Sequence, residues 1–170
     1  MAGLPPARLA ADGTSYGPTW SGAERRMRCL LPLLAARGWD PVLFVARTGA
    51  ASFRELPGVT VVPLSVARHP GPLRSALAVP QMARWCRKLR VTVFLTETPP
   101  APPGLPLVLT VHDLRSWDAP DWVPAGRRWW IHRTVPGAAR SAAAVVVPSE
   151  FSAVRLRAAF PGVQPVLARN

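Results

Sequence analysis

A histidine and an aspartate at the end of a short apolar run are the first residues of this sequence placed to do chemistry. The stretch 106–114 begins Pro-Leu-Val-Leu-Thr-Val, with aliphatic or β-branched side chains at both alternating sets of positions. This pattern is typical of a parallel strand buried on both faces. His112 and Asp113 come next. We therefore expect them just past the carboxyl end of the strand, where α/β sheets bind ligands.

Both residues also have a purely structural interpretation. His112 would then be a strand-end histidine that is hydrogen-bonded to a neighbour. Asp113 would cap a loop, a role that suits aspartate because its carboxylate bonds nearby backbone N–H groups.

A second candidate site follows the first predicted strand, residues 7–11, which Asp12 and Gly13 are expected to end. Residues 13–22 form a loop of Gly, Ser, Thr and Pro, and the run Ser21-Gly22-Ala23-Glu24 is typical of a helix start. Such a loop is a suitable binding site for phosphate, because the unpaired N–H groups and the dipole of the following helix point toward the loop. It matches neither GxGxxG nor a Walker A motif, so an ordinary strand–helix loop remains the alternative.

The rest of the sequence alternates between predicted strands and helices. The first helix has one apolar face and an end at Gly38, and Pro32 is expected to kink it. Its apolar face consists of Met27, Leu30, Leu31 and Leu34. Further strands are predicted at residues 41–46, 59–62, 91–96, 143–147 and 164–168, and further helical segments at 52–56, 73–89, 125–139 and 149–160. This alternation predicts one domain over residues 1–170, an α/β fold with a doubly wound, Rossmann-like parallel sheet and helices on both faces.

Two later helices have predicted inward faces. In the helix at 73–89 these are Leu73, Leu77, Trp85 and Leu89, and in the helix at 149–160 they are Phe151, Val154, Leu156 and Phe160. Pro80 and the pair Pro136-Gly137 are expected to disturb their helices. The loop 115–124, with its tryptophans and aspartates, is predicted to bind an acceptor, whereas His69 in the loop 63–72 is assigned no role.

The composition limits the classes of partner. The net charge is +12, but only one of 21 basic residues is a lysine, Lys88. A coding bias toward arginine and a selected surface for anionic membranes, nucleotides or nucleic acid both explain this charge. No run of basic residues exceeds two, which disfavours a nucleic-acid tail.

The two cysteines and the apolar segments bear on the compartment. Cys29 and Cys86 are far apart and fall in helical patterns, so both are predicted to be buried free thiols in a reducing compartment. We see no signal peptide, no stretch long enough to cross a bilayer and no metal-binding spacing. The expectation is a soluble cytoplasmic protein, with peripheral membrane contact left open.

Several motifs, in this order, resemble the N-terminal half of glycosyltransferase family 4, retaining enzymes of the GT-B fold. The resemblance covers nearly the whole chain, and its most specific parts are the strand ending in Thr-Val-His-Asp-Leu and the later Val-Pro-Ser-Glu-Phe-Ser. The other parts are Asp12-Gly13-Thr14 with Ser21-Gly22-Ala23-Glu24, the helix Leu30–Trp39, the basic-aromatic run Arg127–Trp130 and the stretch Val166–Asn170.

The resemblance implies a function and roles for particular residues. It implies sugar transfer from a nucleotide-sugar donor, such as a UDP- or GDP-sugar, to a sugar or lipid-linked acceptor, with no other cofactor. His112 would line the reaction centre with Asp113, and Asp113, Arg115 and the loop to Trp122 would shape the acceptor pocket. Gly22, Ala23 and Glu24 would bind substrate or phosphate. The leaving diphosphate would be stabilised by backbone dipoles and cations.

The sequence also departs from that family. The pair of glutamates seven residues apart, which the resemblance implies in a second, donor-binding domain, is not present among Glu24, Glu55, Glu97 and Glu150. No histidine occurs near Thr96 and Glu97, where the family often has one. We therefore expect these 170 residues to be inactive, or nearly so, as a transferase without a donor-binding partner chain or domain. The alternatives are a non-catalytic binding module derived from such a domain, and an unrelated nucleotide-binding protein, for which no phosphate fingerprint is found.

Overall fold

The computed structural model describes residues 7–17, 21–66 and 71–169. Its strands are β1 (Arg8–Gly13), β2 (Asp40–Ala46), β3 (Thr60–Leu64), β4 (Val93–Thr96), β5 (Leu107–Thr110), β6 (Ala144–Val147) and β7 (Pro165–Leu167). Its α-helices are α1 (Gly22–Ala36), α2 (Gly71–Leu89), α3 (Arg115–Asp118), α4 (Ala125–Ser141) and α5 (Glu150–Ala159). Two 3-10 helices cover Arg47–Phe53 and Pro120–Trp122. Loop residues 18–20, His69 and Asn170 lie outside the described residues.

The seven strands form one sheet in the order β3-β2-β1-β4-β5-β6-β7. The pairs β1–β2, β2–β3, β5–β6 and β6–β7 are parallel. The order runs outward in one direction from β1 to β3 and in the other from β4 to β7, which is the arrangement of a doubly wound sheet. The predicted fold class is therefore confirmed.

The chain divides into two compact units. The first contains the described residues up to Phe94 together with Pro102–Leu105, and the second contains Leu95–Ala101 and the described residues from Pro106 onward. In the first unit, β1 and β2 are the centre of the core, and every residue from Pro41 to Ala46 is buried. Because neighbouring side chains of a strand point to opposite faces, both faces of β2 are covered.

The second unit has its own apolar core, built where α4 and α5 cover β5 and β6. Its buried members are Leu109, Val111, Leu114, Ala139, Val145, Val147, Ala153, Leu156, Phe160 and Val163. Ser149 begins α5 as predicted: its hydroxyl accepts a hydrogen bond from the Ser152 N–H, which satisfies one of the free donors of the first turn.

Several predicted boundaries need correction. β1 runs through Asp12 and Gly13 instead of ending before them, and β4 begins at Val93. β3 includes Pro63, which a sheet tolerates because β3 is an edge strand. The loop 115–124 contains α3 and a 3-10 turn, the predicted turn at 52–56 is instead a 3-10 helix at Arg47–Phe53, and α4 continues through Pro136.

Two predicted helix faces and one cysteine are also corrected. In α2 the buried residues are Ser75, Ala78, Met82 and Cys86, while Leu73 and Leu77 are exposed. The side chains that pack inward are therefore partly small ones, which a search for large apolar residues overlooks. In α5 Leu156 and Phe160 are buried, but Phe151 and Val154 are exposed. Cys29 is exposed, because it lies two residues, about 200° around the helix, from both Met27 and Leu31.

Candidate functional site

His112 lies two residues beyond the end of β5, as predicted. The Val111 N–H still donates to the Val146 carbonyl at 2.8 Å, so the chain keeps its sheet register up to the residue before His112. The backbone carbonyl of His112 then accepts a hydrogen bond from the Ser152 hydroxyl at 2.9 Å. The first turn of α5 therefore fixes the backbone from which the imidazole projects.

The imidazole has an acidic neighbour that the sequence prediction missed. Nε2 of His112 lies 3.0 Å from Oε1 of Glu97, within ion-pair distance but without the alignment of a hydrogen bond. Glu97 follows β4 directly, and its side chain is 5 % exposed, whereas that of His112 is 31 % exposed. Both residues follow predicted strands, and the carboxyl ends of parallel strands share one edge of a sheet, but the sequence did not indicate that these two strands are neighbours.

The backbone before Glu97 is also held. The Thr96 side chain is fully buried, and its hydroxyl accepts a hydrogen bond from the Thr98 N–H at 3.1 Å. This closes a tight turn around Glu97. The result is a buried carboxylate beside a partly exposed imidazole, whose Nε2 is itself buried.

Asp113 and Arg115 are exposed and pair with each other. Oδ1 of Asp113 accepts a hydrogen bond from the Arg115 N–H at 3.0 Å, and Oδ2 lies 3.7 Å from the Arg115 guanidinium. The Asp113 carboxylate therefore supports the turn into α3, which is the structural role considered above, while its exposed position leaves it accessible to a ligand.

The acceptor loop predicted at 115–124 is tied to α4 and α5. The Trp117 ring stacks on the His132 ring at 4.4 Å between centroids and meets Phe160 edge-on at 5.3 Å. Asp118 pairs with Arg155, and this hydrogen bond and charge raise the pKa of Arg155 above its ordinary value. The loop is thus a packed element of the second unit.

The other predicted residues, Gly22, Ala23 and Glu24, belong to the first unit. The Ser21 hydroxyl accepts a hydrogen bond from the Glu24 N–H at 3.1 Å and so caps α1. The N–H groups of Gly22 and Ala23 belong to the first turn, where a helix supplies no acceptor. Nothing among the described residues lies within 4 Å of a Cβ built on Gly22, so none of them fills the space beside its backbone.

The Glu24 side chain points inward. It is completely buried and accepts two hydrogen bonds from the Arg28 guanidinium, at 3.1 and 3.0 Å. Its second oxygen lies 3.4 Å from the Gly17 N–H. Arg28 also donates to the Ser52 carbonyl and covers the Phe53 ring. Glu24 therefore joins the loop after β1 to the first helix.

A buried aspartate closes the end of β1. Oδ1 of Asp12 accepts hydrogen bonds from the Thr14 N–H at 2.8 Å and from the Thr14 hydroxyl at 2.7 Å. Burial lowers the pKa of the Arg74 guanidinium, and the charge of Asp12 opposes that shift. A Cβ on Gly13 would approach the Tyr16 ring to 2.8 Å and the Phe44 carbonyl oxygen to 3.1 Å, so this tight turn requires glycine.

Other features of the described segments add no further chemistry. A depression of about 440 Å³ lies at the amino ends of β6 and β7, opposite to His112, and is lined mainly by small side chains. Within residues 7–17, 21–66 and 71–169, no three His, Cys, Asp or Glu side chains cluster as metal ligands. No helix in these segments is both long and apolar enough to cross a membrane.

Solved structures confirm the fold but at low sequence identity. A glycosyltransferase from Rickettsia africae ESF-5 superposes with a TM-score of 0.63 at 14 % identity, over 98 % of this chain and 44 % of that chain. HepE of Anabaena, solved in complex with UDP and glucose, gives 0.62 at 15 %, over 95 % and 44 %. Sucrose-phosphate synthase from Thermosynechococcus elongatus gives 0.60 at 14 %, over 96 % and 86 %.

The sequence comparison identifies the family. No curated protein sequence matches the chain, but the family model for Glycosyltransferase Family 4 matches residues 20–166. The chain spans less than half the length of the Rickettsia and Anabaena proteins. Since the family model covers most of the sequence, the chain belongs to glycosyltransferase family 4.

Proposed function

We propose that this chain is the acceptor-side half of a retaining glycosyltransferase, which transfers a sugar from a nucleotide-sugar donor to a sugar or lipid-linked acceptor. The observation that carries the proposal is the half-exposed His112 beside the buried Glu97, at the strand ends of a family 4 chain. In the reaction, the bond from the anomeric carbon to the phosphate oxygen breaks, and a bond to the acceptor oxygen forms on the same face of the sugar. The acceptor proton passes to the leaving diphosphate.

His112 is the residue we assign to the reaction centre. Its side chain is partly exposed, Glu97 lies beside its buried Nε2, and Ser152 holds its backbone carbonyl from the protein side. An imidazole fixed in this way can hydrogen-bond a sugar hydroxyl without first losing side-chain freedom, which is the benefit of a preorganised site. Glu97 acts as a positioning residue, and Asp113 with Arg115 lies on the acceptor side.

Gly22 and Ala23 are the residues we assign to the diphosphate. Their N–H groups belong to the first turn of α1, where the helix dipole favours negative charge. A carboxylate would repel a phosphate, and that of Glu24 is already bonded to Arg28 and Gly17. We therefore assign Glu24 to holding the loop rather than to contacting the donor.

We further propose that these residues need a donor-binding domain or partner chain for efficient transfer. A glycosyltransferase must enclose the donor and exclude water, and the Rickettsia and Anabaena chains compared above are more than twice as long as this chain. The free thiols Cys29 and Cys86 fit a reducing compartment, so we place the reaction in the cytoplasm.

Donor turnover tests the proposal. The purified chain is incubated with a panel of UDP- and GDP-sugars, alone and together with the product of any neighbouring reading frame that encodes a donor-binding half. Transfer or hydrolysis that is lost in His112→Ala and reduced at least ten-fold in Glu97→Gln supports it, provided that Glu55→Gln, an exposed control, retains activity.

The opposite result would favour the non-catalytic binding module. In this case the chain is folded by circular dichroism and still binds an acceptor, but it turns over no donor, either alone or with a partner chain. If Glu97→Gln and Glu55→Gln lowered the turnover equally, Glu97 would have no specific role in the site.

A further inference from the structure

Two tryptophans on the surface of the second unit are exposed to an unusual degree. Trp122 is 80 % exposed and Trp129 is 61 % exposed. Trp129 shares one face of α4 with Arg133 and Arg140, which follow it four and eleven residues later, and both arginines are exposed. We call Trp122, Trp129, Arg133 and Arg140 the Trp–Arg surface.

The elements that carry this surface are firmly held. The Arg128 guanidinium donates to the Pro120 carbonyl at 3.0 Å, which places the first turn of α4 against the 3-10 turn that ends at Trp122. In addition, the Trp117 ring of α3 stacks on the His132 ring of α4. The exposed tryptophans are therefore presented by packed elements, and their exposure does not result from a loose loop.

The charge around the surface is mainly positive. From Trp122 to Ser149 the sequence contains four arginines and no acidic residue. Of the two aspartates just before this segment, Asp118 is paired with Arg155, and Asp121 remains as the neighbouring acid. The surface therefore combines net positive charge with large amphipathic rings.

We propose that the Trp–Arg surface docks onto an anionic lipid bilayer, a property that does not depend on the proposed function. Tryptophan favours the boundary between headgroups and acyl chains, because its ring is apolar and its N–H is polar. Arginines beside it gain the attraction of an acidic leaflet. A nucleic acid fits less well, since four arginines over 28 residues provide few phosphate contacts.

Vesicle binding of the purified 170-residue chain tests this proposal. Co-sedimentation is measured with vesicles of mixed phosphatidylglycerol and phosphatidylcholine, and with phosphatidylcholine alone. The expected result is binding to the acidic vesicles that weakens with salt. The double variant Trp122→Ala/Trp129→Ala should bind on the order of ten-fold more weakly, and Arg133→Gln about five-fold more weakly.

Matched controls separate a specific surface from general charge. Leu33→Ala removes an exposed apolar side chain on α1, and Arg54→Gln removes an exposed arginine of the first unit. Both should bind as the wild type does. All of the changed residues are exposed, so each variant should keep the wild-type circular dichroism.

Three results would overturn the proposal. The first is no binding to acidic vesicles. The second is equal weakening by Arg54→Gln and Arg133→Gln, which would mean diffuse electrostatics. The third is binding to single-stranded poly(U) with the same dependence on the two tryptophans and no binding to vesicles, which would make the partner an RNA.

Discussion

Replacing Glu24 by glutamine should destabilise the first unit strongly, although the two side chains have nearly the same shape. The carboxylate is fully buried and accepts hydrogen bonds from both Arg28 and the Gly17 N–H. A glutamine must turn an NH₂ group toward one of these donors, so one contact becomes repulsive, and the Arg28 charge loses its buried partner. Removing one partner of a buried pair costs 3–5 kcal/mol. Arg28 keeps the Ser52 carbonyl and the Phe53 ring, so we expect the lower end, about 3 kcal/mol.

Urea unfolding followed by circular dichroism measures this cost, which for a chain of this size corresponds to a Tm lower by about 9 °C. The control is Glu55→Gln, an exposed glutamate of the same unit, which should change the free energy of unfolding by less than about 0.5 kcal/mol. In a double-mutant cycle, Arg28→Met should cost far less in the Glu24→Gln background than in the wild type. A Glu24→Gln variant as stable as the wild type would refute the assignment of Glu24 to holding the loop.

Three other predictions address single positions. Gly13→Ala should lower the free energy of unfolding by about 1–3 kcal/mol, because the added Cβ would lie 2.8 Å from the Tyr16 ring; a neutral effect in urea unfolding would contradict the tight turn. Ser149→Ala should cost about 1 kcal/mol through the lost cap of α5, and unchanged stability would mean that the cap contributes nothing. Burial raises the pKa of the Cys86 thiol to about 11, so at pH 8 Cys86 stays protonated and should react slowly with a thiol reagent, while the exposed Cys29 reacts quickly. Labelling should speed up as the pH rises toward 11, and two equally fast thiols at pH 8 in the folded protein would contradict the burial of Cys86.

The position of the imidazole could be predicted from the sequence, but its partner could not. An apolar strand pattern followed by His-Asp predicts that His112 lies at the end of a strand, because the end of a strand depends on residues that are close in sequence. Glu97 comes fifteen residues earlier, after a different strand. It reaches His112 through the order of the strands in the sheet, and local periodicity does not encode that order.

The same distinction applies to the helices. The sequence predicted that α1, α2, α4 and α5 exist and that Ser21 and Ser149 begin two of them, because caps and spacing act within one turn. It misplaced the inward face of α2, where Ser75 and Ala78 are buried and Leu73 is exposed. A helix with apolar residues on more than one face has no single orientation from its own sequence, and packing against the sheet selects the one observed.

The sequence by itself therefore determined the alternation of strands and helices, the family, the strand end at which His112 lies and the helix start at which Gly22 and Ala23 lie. Only the tertiary structure decided that Glu24 is a buried partner of Arg28, that Glu97 lies beside His112, and that Trp122 and Trp129 face outward. The physical reason is range: caps, turns and periodicity depend on neighbours within a few residues. Burial and ion pairing depend on which distant segments the sheet brings together.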